Sequence, residues 1–501
     1  MTSPWWRSAV VYQVYPRSYA DADGDGVGDL RGITDRLEHI RELGADAVWL
    51  SPIYRSPMAD FGYDISDHTD VDPIFGTLAD ADELIARAHD VGLRVLLDFV
   101  PNHTSDRHRW FAESRAARNG PRRSWYVWRP GEAPPNNWIS SFGDRRPAWT
   151  RDERTGEWYL HSFLAEQPDL NWDEPAVAEA MHEVLRFWLR RGVDGFRIDV
   201  AHKIGKDPEL ADNEPGRRHE EDWPSVHPRL AAIRRVLEEF DGERVAIGEV
   251  YVLDQRALAQ YLVTADELHL AHNFFFLNLP WSAAAFRAAV DEFEELTRAG
   301  GWPAWCLNNH DHSRTATRYG LRRARAAAMM ILTLRGTPFI YQGEELGLTD
   351  AHVPPERIVD VDGRDPERAP IPWAPPSQAG PAAGFGDGEP WLPVHPDAER
   401  LAVAAQMGRP DSSLELYRAL IALRRVEPAL HQGSYRSLDA PPDVFAFVRD
   451  HEGRRLLVAL NFAPFARPLP EPAAGGQLLL STHAEPHAVE LGADEGRVLA
   501  L

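Results

Sequence analysis

The sequence has very little of two chemically informative residue types. Cys306 is the one cysteine, so no internal disulfide can form and stability does not depend on oxidation. Lysine occurs only at Lys203 and Lys206, and the arginines are spread among acidic residues. With a formal net charge of −23 and no basic patch, the chain is not expected to bind nucleic acid or an anionic membrane surface.

Long apolar runs are missing as well. The first residues, MTSPWWRSAVVYQVYPRSY, lack the basic segment and apolar core of a secretory signal. No later window is apolar over the roughly 20 residues that a membrane helix needs. We therefore expect a soluble, cytoplasmic protein. Cys306 lies in the apolar stretch WCLNNHD, and we interpret it as a small core residue rather than a nucleophile.

Short β-like runs alternate with helical patterns along much of the 501-residue chain. This alternation is typical of βαβ units and a parallel sheet, and eight such runs predict an α/β fold of the (β/α)8 TIM barrel type. The candidate strands are Val11–Tyr15, Ala47–Leu50, Arg94–Phe99, Gly195–Asp199, Ala246–Val250, Ala271–Phe276, Trp305–Asn309 and Pro338–Gln342.

Three intervals interrupt or follow this rhythm. Residues 101–172, after the third strand, are rich in Trp, Pro, Asn and Arg and predict a small inserted domain, because they are far longer than an ordinary loop. Residues 353–396 are crowded with Pro and Gly and predict an extended excursion after the eighth strand. Alternating runs within 432–501 predict a C-terminal antiparallel β-sandwich domain, which leaves 1–100 and 173–431 for the barrel.

Three candidate strand ends carry a carboxylate, namely Asp199 in GFRIDVAH, Glu249 in GEVY and Asp311 in NNHD. In a (β/α)8 barrel these ends meet at one rim, where catalytic side chains gather. Glycoside hydrolysis needs two carboxyl groups on opposite sides of the bond that is cleaved. A single Arg-x-Asp pair is more often a structural ion pair, but the joint placement of three acids favours a reactive site.

Six motifs in order carry a resemblance to a known family. The chain resembles the α-amylase family, glycoside hydrolase family 13, over nearly its whole length, and the QPDLN form is similar to that of the α-glucosidase and oligo-1,6-glucosidase branch. GYDISDH at 62–68 and PWLPV at 390–394 favour the same branch. The motifs are DFVPNH at 98–103, QPDLNW at 167–172, GFRIDVAH at 195–202, GEVY at 248–251, NNHD at 308–311 and GTPFIYQGEELG at 336–347.

The resemblance implies a role for each rim acid. Asp199 would be the nucleophile, Glu249 the general acid and base, and Asp311 the stabiliser of the transition state. Arg197, two residues before Asp199 on the same strand face, would keep that carboxyl ionised. The implied substrate-binding residues are His103 and His310 for sugar hydroxyls, Tyr63 and Phe163 for the apolar face of the sugar, and Asp60, with Arg409 as its partner, for the terminal hydroxyls.

An acidic loop near the N-terminus forms a second candidate site. It places carboxylates at loop positions one, three, five and nine, with a backbone carbonyl at seven and Gly26 at the turn, as a calcium loop requires. We expect structural Ca²⁺ there, with Mg²⁺ or a flexible acidic turn as alternatives, and no organic cofactor. The calcium that bridges barrel and inserted domain in many amylases is not expected, since Lys206 takes its place in this branch. The loop ligands are Asp21, Asp23, Asp25, Val27 and Asp29.

These features together predict a retaining, exo-acting α-glucosidase that releases glucose from the non-reducing end of a small oligosaccharide or other short α-glucoside. Val200 resembles α-1,6-specific relatives and Ala201-His202 resembles maltose-active ones, and we favour maltose-type α-1,4 linkages. The alternatives are an oligo-1,6-glucosidase, or a transglucosylase or isomerase such as trehalose synthase or sucrose isomerase. A non-catalytic, transporter-subunit-like interaction protein is the remote alternative. We expect a monomer or a weak homo-oligomer.

Overall fold

Eight short parallel strands close into a barrel. The computed structural model describes residues 3–142, 146–264, 266–471, 473 and 475–501. The strands are Val11–Val14 (β1), Ala47–Leu50 (β2), Arg94–Phe99 (β3), Gly195–Ile198 (β4), Val245–Gly248 (β5), Leu270–Ala271 (β6), Ala304–Trp305 (β7) and Thr337–Tyr341 (β8). The sheet runs in the order β6, β5, β4, β3, β2, β1, β8, β7, and a parallel bridge between His272 and Ala304 joins its two ends. The predicted (β/α)8 barrel is therefore confirmed.

Two predicted strands extend four or five residues beyond the observed ones, whereas the others differ by at most two residues at either end. The run 271–276 leaves the sheet after Ala271, because the side chain of Asn273 accepts a hydrogen bond from the amide of Phe276 and starts a helical turn at Phe274–Leu277. The run 305–309 ends at Trp305, and the polar residues after it form a turn in which the amide of Asp311 donates to Asn309. In both places local side-chain hydrogen bonds compete with the sheet.

Helices surround the barrel and pack their apolar stripes on its strands. Local signals set several of their ends: Thr77 and Asp80 form a capping box, and the left-handed Gly44 ends the helix before β2. The main helices are Leu30–Asp35, Leu37–Leu43, Leu78–Asp90, Pro175–Arg190, Val226–Glu238, Gln255–Val263, Ala283–Leu296, Leu321–Thr333 and Ser413–Val426. Among the described residues, none of the helices combines the length and the apolar character that crossing a bilayer requires.

The interval between β3 and the helix Pro175–Arg190 folds over the carboxyl ends of the strands. It contains the helix Arg109–Ala116 and a three-stranded antiparallel sheet of Trp128–Arg129, Trp158–Leu160 and Trp149–Arg151. Buried aromatic residues such as Phe111, Trp128 and Tyr159 fill its interior. Residues 143–145, within the expected insertion, lie outside the described part of the chain. The domain bounds themselves remain predictions.

Two antiparallel sheets follow the last barrel helix. The larger has the order Ser434–Ser437, Val444–His451, Arg454–Asn461, Gly496–Ala500 and Gln477–Ser481, and the smaller pairs Arg467–Pro468 with Glu490–Leu491. The excursion before them holds the short 3-10 turns Pro355–Arg357 and Asp365–Arg368. This excursion lies at the rim of the barrel, where it contributes two arginines to the candidate site.

Candidate active site

One buried arginine joins three carboxylates at the carboxyl ends of β3, β4 and β5. Arg197 lies on β4, and its Nη1 atom is 2.7 Å from Oδ1 of Asp199 and 2.9 Å from Oδ1 of Asp98. Its Nη2 atom forms an ion pair with Oε2 of Glu249 at 2.6 Å. The three strands are neighbours in the sheet, so residues separated by 151 positions of sequence, from Asp98 to Glu249, share one guanidinium group.

The chain turns sharply just after the candidate nucleophile. Strand β4 ends at Ile198, and Val200 has φ of 34°, in the left-handed region that a β-branched residue rarely adopts. This turn points the amide of Val200 at Oε2 of Glu249, at 3.0 Å, and the amide of Ala201 at the Glu249 carbonyl, at 2.8 Å. The strained turn therefore fixes the two acids relative to each other.

His310 is fully buried beneath the cavity and orients its neighbours. Its ring stacks on Tyr63, with centroids 5.4 Å apart. Because the amide N–H of Gln13 can only donate, its 2.8 Å contact makes Nδ1 of His310 an acceptor. Nε2 then carries the proton and donates to the Tyr63 hydroxyl at 2.7 Å, and Tyr63 donates to Asp98 at 3.0 Å. Burial lowers the pKa of His310 well below its ordinary value, so the ring is neutral.

The partner predicted for Asp60 was wrong. Arg409 is exposed and its nearest acidic neighbour is Asp411, at 3.8 Å. Instead, Nη2 of Arg364 lies 2.6 Å from Oδ1 of Asp60, and Nη1 lies 3.0 Å from Oδ1 of Asp311. The reason is the path of the excursion, which returns to the rim at 360–368 and has left it again by residue 409.

A second set of contacts holds the other oxygen of Asp60. Gln167 donates from Nε2 to Oδ2 of Asp60 at 2.9 Å, and the same nitrogen lies 3.1 Å from Nε2 of His103. Phe163 packs beside His103, with ring centroids 5.3 Å apart. Burial lowers the pKa of His103 to about 4, which keeps this ring neutral and able to exchange hydrogen bonds with hydroxyl groups.

These side chains line a cavity of about 410 Å³. Seven of the ten predicted catalytic and substrate-binding residues face it, while Arg197 and His310 lie behind its surface and Arg409 lies elsewhere. The lining also includes Phe142, Val200, Lys203, Glu221, Tyr251 and His312, which the sequence did not single out as substrate contacts. The seven predicted residues are Asp60, Tyr63, His103, Phe163, Asp199, Glu249 and Asp311.

The protonation of the acids follows from burial and from the charges around them. Burial raises the pKa of Asp199, and the nearby charge of Glu249 adds to the rise, although Arg197 opposes it. Burial alone would also raise the pKa of Asp311. The guanidinium groups of Arg364 and Arg368 outweigh that effect and hold the pKa of Asp311 below its ordinary value. Asp311 is thus firmly ionised, whereas the raised pKa of Asp199 favours its protonated form.

Several residues of the site were not predicted, although their sequence context contains a signal. Asp98 begins the DFVPNH motif at the end of β3, and burial raises its pKa to about 6. Gln167 begins QPDLNW. Arg364 and Arg368 stand among acids in DVDGRDPER, and Arg368 donates to Oδ1 of Asp311 at 2.9 Å. For Arg364 and Arg368, the available signal was a cluster of charged residues within an irregular, Pro-rich segment.

Lys206 ties the barrel to the inserted segment. Its Nζ atom lies 3.0 Å from Oδ2 of Asp169 and donates to Oδ1 of Asn102, at 2.7 Å, and to the Lys203 carbonyl. These oxygens come from both sides of the junction. The ammonium group of Lys206 therefore lies among three oxygens at this junction.

The acidic loop brings part of its predicted ligand set together. Oxygens from the carboxylates of Asp21, Asp23 and Asp29 all lie within 4.8 Å of one another, a spacing that suits an oxygen-coordinated divalent cation. Asp25 is not part of this cluster, and its carboxylate accepts from the amide of Val27 at 2.8 Å, as the other three carboxylates accept from amides of the loop and of the helix after it. The loop also joins the excursion, since the amide of Trp391 donates to the Gly26 carbonyl.

Comparison with family models gives two matches. The model described as alpha amylase, catalytic domain, matches residues 13–433, and the domain of unknown function DUF3459 matches residues 431–498. Together the two matches cover the barrel and nearly all of the C-terminal sheets.

Comparison with individual proteins gives full-length similarity. A probable alpha-glucosidase of Rhizobium meliloti (strain 1021) is 42% identical, over 92% of this chain and 89% of the relative. An oligo-1,6-glucosidase of Parageobacillus thermoglucosidasius is 37% identical, over 92% and 91%. Among solved structures, the alpha-glucosyl transfer enzyme XgtA has a TM-score of 0.92 at 38% identity, and the trehalulose synthase MutB from Pseudomonas mesoacidophila MX-45 has 0.93 at 34%. Each of these two matches covers 100% of both chains.

Proposed function

The chain belongs to the α-amylase family of glycoside hydrolases, and we propose that it is a retaining, exo-acting α-glucosidase that releases glucose from the non-reducing end of short α-glucosides. The observation that carries this proposal is the shared guanidinium of Arg197, which holds Asp199 and Glu249 at the wall of one cavity. Retaining chemistry needs two carboxyls about 5–5.5 Å apart, and we expect that separation here.

The reaction would proceed in two steps. Asp199 attacks the anomeric carbon to form a β-glucosyl ester while Glu249 gives its proton to the leaving oxygen, and Glu249 then takes a proton from the water that cleaves the ester. Asp311 remains ionised and stabilises the positive charge that develops on the sugar ring. The first step requires an ionised Asp199 and a proton on Glu249.

Exo action is supported by the ion pair of Asp60 with Arg364, whose buried charges would bind the terminal hydroxyls of a non-reducing glucose. His103 and Gln167 would complete this set. We propose preference for maltose-type α-1,4 linkages, with α-1,6 action secondary. Turnover of maltose compared with isomaltose decides the linkage preference.

Likeness to an alpha-glucosyl transfer enzyme and to a trehalulose synthase favours glucosyl transfer as a second candidate. In that reaction a sugar or alcohol, rather than water, accepts glucose from Asp199. Chromatography of the products from concentrated maltose and from sucrose separates the two outcomes. The variants Asp199→Asn and Glu249→Gln test the roles of the two acids in hydrolysis and in transfer. Loss of either acid should abolish both reactions. Near-normal cleavage of an aryl α-glucoside by either variant would overturn the assignment of the catalytic acids.

We also propose that Asp21, Asp23 and Asp29 bind a structural divalent cation, with Ca²⁺ preferred to Mg²⁺. The carboxylate spacing supports this assignment, and bound cation would offset the mutual repulsion of the acids. Its contribution would be to stability, since the loop follows β1 and contacts the excursion rather than the cavity.

A further inference from the structure

The direction in which the aglycone leaves follows from the position of Glu249. The acid that protonates the leaving oxygen must lie on the aglycone side of the sugar. Tyr251 follows Glu249 by two residues, lines the cavity and stacks on His312, with ring centroids 6.0 Å apart and planes within 6°. Whatever is attached to the glucose therefore passes Tyr251 and the side chains exposed beside it.

The side chains at this exit are unusually apolar. Of the eleven large apolar side chains that are exposed in the described part of the chain, five lie in two short segments next to cavity-lining residues. Leu253 is 51% exposed, and Val359 and Val361 are each 53% exposed. We call these five the apolar rim, and its members are Tyr251, Leu253, Ile358, Val359 and Val361.

The two segments of the apolar rim are held at the same part of the site. The 358–361 segment is fixed by Asp360, which accepts from Arg364 at 2.6 Å, and Arg364 also binds the catalytic-site acid Asp311. Asp362, next to Val361, lines the cavity. The 251–253 segment lies near the same acid, because Tyr251 stacks on His312, the residue after Asp311 in the chain.

Glu221, a charged residue of the cavity wall, is already paired. Oε2 of Glu221 accepts from Lys203 at 2.8 Å, and Oε1 lies 2.9 Å from Arg218. The four aliphatic rim side chains cannot exchange hydrogen bonds with hydroxyl groups, so hydroxyls buried against them would go unsatisfied. An alkyl chain has no such cost and gains from the burial of apolar surface.

We propose that the apolar rim binds the aglycone and makes alkyl α-glucosides with long chains a preferred substrate class. This inference rests on the proposed glucosidase function. Primary alcohols from butanol to octanol are leaving groups of nearly equal acidity, so a dependence on chain length reports contact with the rim rather than altered chemistry. If half of the added methylene surface is buried, kcat/KM should rise about tenfold from butyl to octyl α-glucoside.

The test measures kcat/KM for maltose and for butyl, hexyl and octyl α-glucosides, all below their critical micelle concentrations. The readout is the octyl-to-butyl ratio, which cancels changes common to all substrates. The double variant Leu253→Ser with Val359→Ser should reduce this ratio from about ten to about two. The matched control, Val426→Ser with Val489→Ser, removes two exposed valines elsewhere and should leave the ratio unchanged.

Each outcome decides between distinct claims. A rising ratio that only the rim variant abolishes supports the inference. Hydrolysis of maltose with a ratio near one overturns the inference alone, whereas no hydrolysis of any α-glucoside overturns the proposed function and the inference with it. If sedimentation shows a dimer that the rim variant dissociates, the rim is a subunit interface and the inference is overturned.

Discussion

The Nη1 atom of Arg197, on β4, lies 2.7 Å from Oδ1 of Asp199, which follows two residues later, just past the end of the strand. The two side chains therefore point to the same side of β4, and the positive charge of the arginine opposes the rise in the pKa of Asp199 that burial causes, without cancelling it. Since the same guanidinium contacts Glu249, this residue sets both the charge and the separation of the two reacting groups.

Replacing this arginine should therefore damage both activity and stability. We expect Arg197→Lys to lower kcat/KM for an aryl α-glucoside about a thousandfold, because a single ammonium group cannot contact all three carboxylates. Loss of the planar guanidinium group, which donates to several carboxylates at once, should also reduce the free energy of unfolding by about 3–5 kcal/mol, measured by urea denaturation. Arg425→Lys, at an exposed ion pair, is the control and should change stability by less than about 0.5 kcal/mol.

A matched pair of arginines tests the terminal-hydroxyl site. Arg364→Ala should lower kcat/KM for maltose by about a hundredfold or more, because it removes the charged partner of Asp60 and a contact to Asp311. Arg409→Ala should leave kcat/KM within about twofold, since the Arg409 side chain is 58% exposed and pairs with Asp411. Equal losses in the two variants would contradict the assignment of Arg364.

The contrast between Arg364 and Arg409 shows which part of the site could be predicted from the sequence. The acids Asp199, Glu249 and Asp311 could be predicted because each follows a strand of the barrel, and barrel closure brings the segments after the strands together. Arg364 could not, because it lies in an irregular segment whose path depends on its buried pairing with Asp60 and Asp360. A Pro-rich sequence has no periodicity from which the path of the chain could be predicted. The arginine that pairs with Asp60 could therefore be identified only from the structure.

Glu344 provides a prediction for the pH dependence of stability. It is buried behind the site, accepts from Tyr417 at 2.9 Å, and burial raises its pKa from 4.5 to about 7. Between these values the folded protein binds a proton that the unfolded chain has released, so this group's contribution to stability falls as pH rises from about 4.5 to 7 and is lost above 7. The loss amounts to up to about 3 kcal/mol.

The variant Glu344→Gln removes the titration and keeps an oxygen that can accept from Tyr417. We expect the variant to be more stable than the parent at pH 8, relative to their difference at pH 5, in urea unfolding at the two pH values. Asp35→Asn, at an exposed helix end, is the control. A stability difference between Glu344→Gln and the parent that is the same at both pH values would show that Glu344 does not titrate as described.

The acidic loop predicts stabilisation by a divalent cation. Chelation with EDTA should lower the melting temperature by several degrees, and Ca²⁺ in excess should restore it, since a ligand bound only by the folded state stabilises that state. Asp23→Asn should abolish the response to Ca²⁺ because it removes one of the three clustered carboxylates. Asp25→Asn should retain most of it. A melting temperature indifferent to both EDTA and Ca²⁺ would contradict the site.

Strand ends show a second limit of the sequence. The runs 47–50 and 94–99 matched the observed strands because apolar residues continue to the last position that is paired in the sheet. At β6 and β7 the apolar pattern continued beyond the pairing, and the strands ended where the side chains of Asn273 and Asn309 accept hydrogen bonds from backbone amides. Those bonds depend on backbone geometry that forms only with the turn, so residue type alone could not fix the ends.

The central claim, that Asp199 forms the covalent bond to glucose, is tested most directly by trapping that bond. The protein would be incubated with an activated fluoroglucosyl fluoride whose ester is hydrolysed slowly, then digested and analysed by mass spectrometry. The account predicts one added fluoroglucosyl group on the peptide carrying Asp199, formed at a rate that Glu249→Gln does not abolish because fluoride needs no proton from the enzyme. A label on another residue, or continued turnover of an α-glucoside with no label at all, would contradict it.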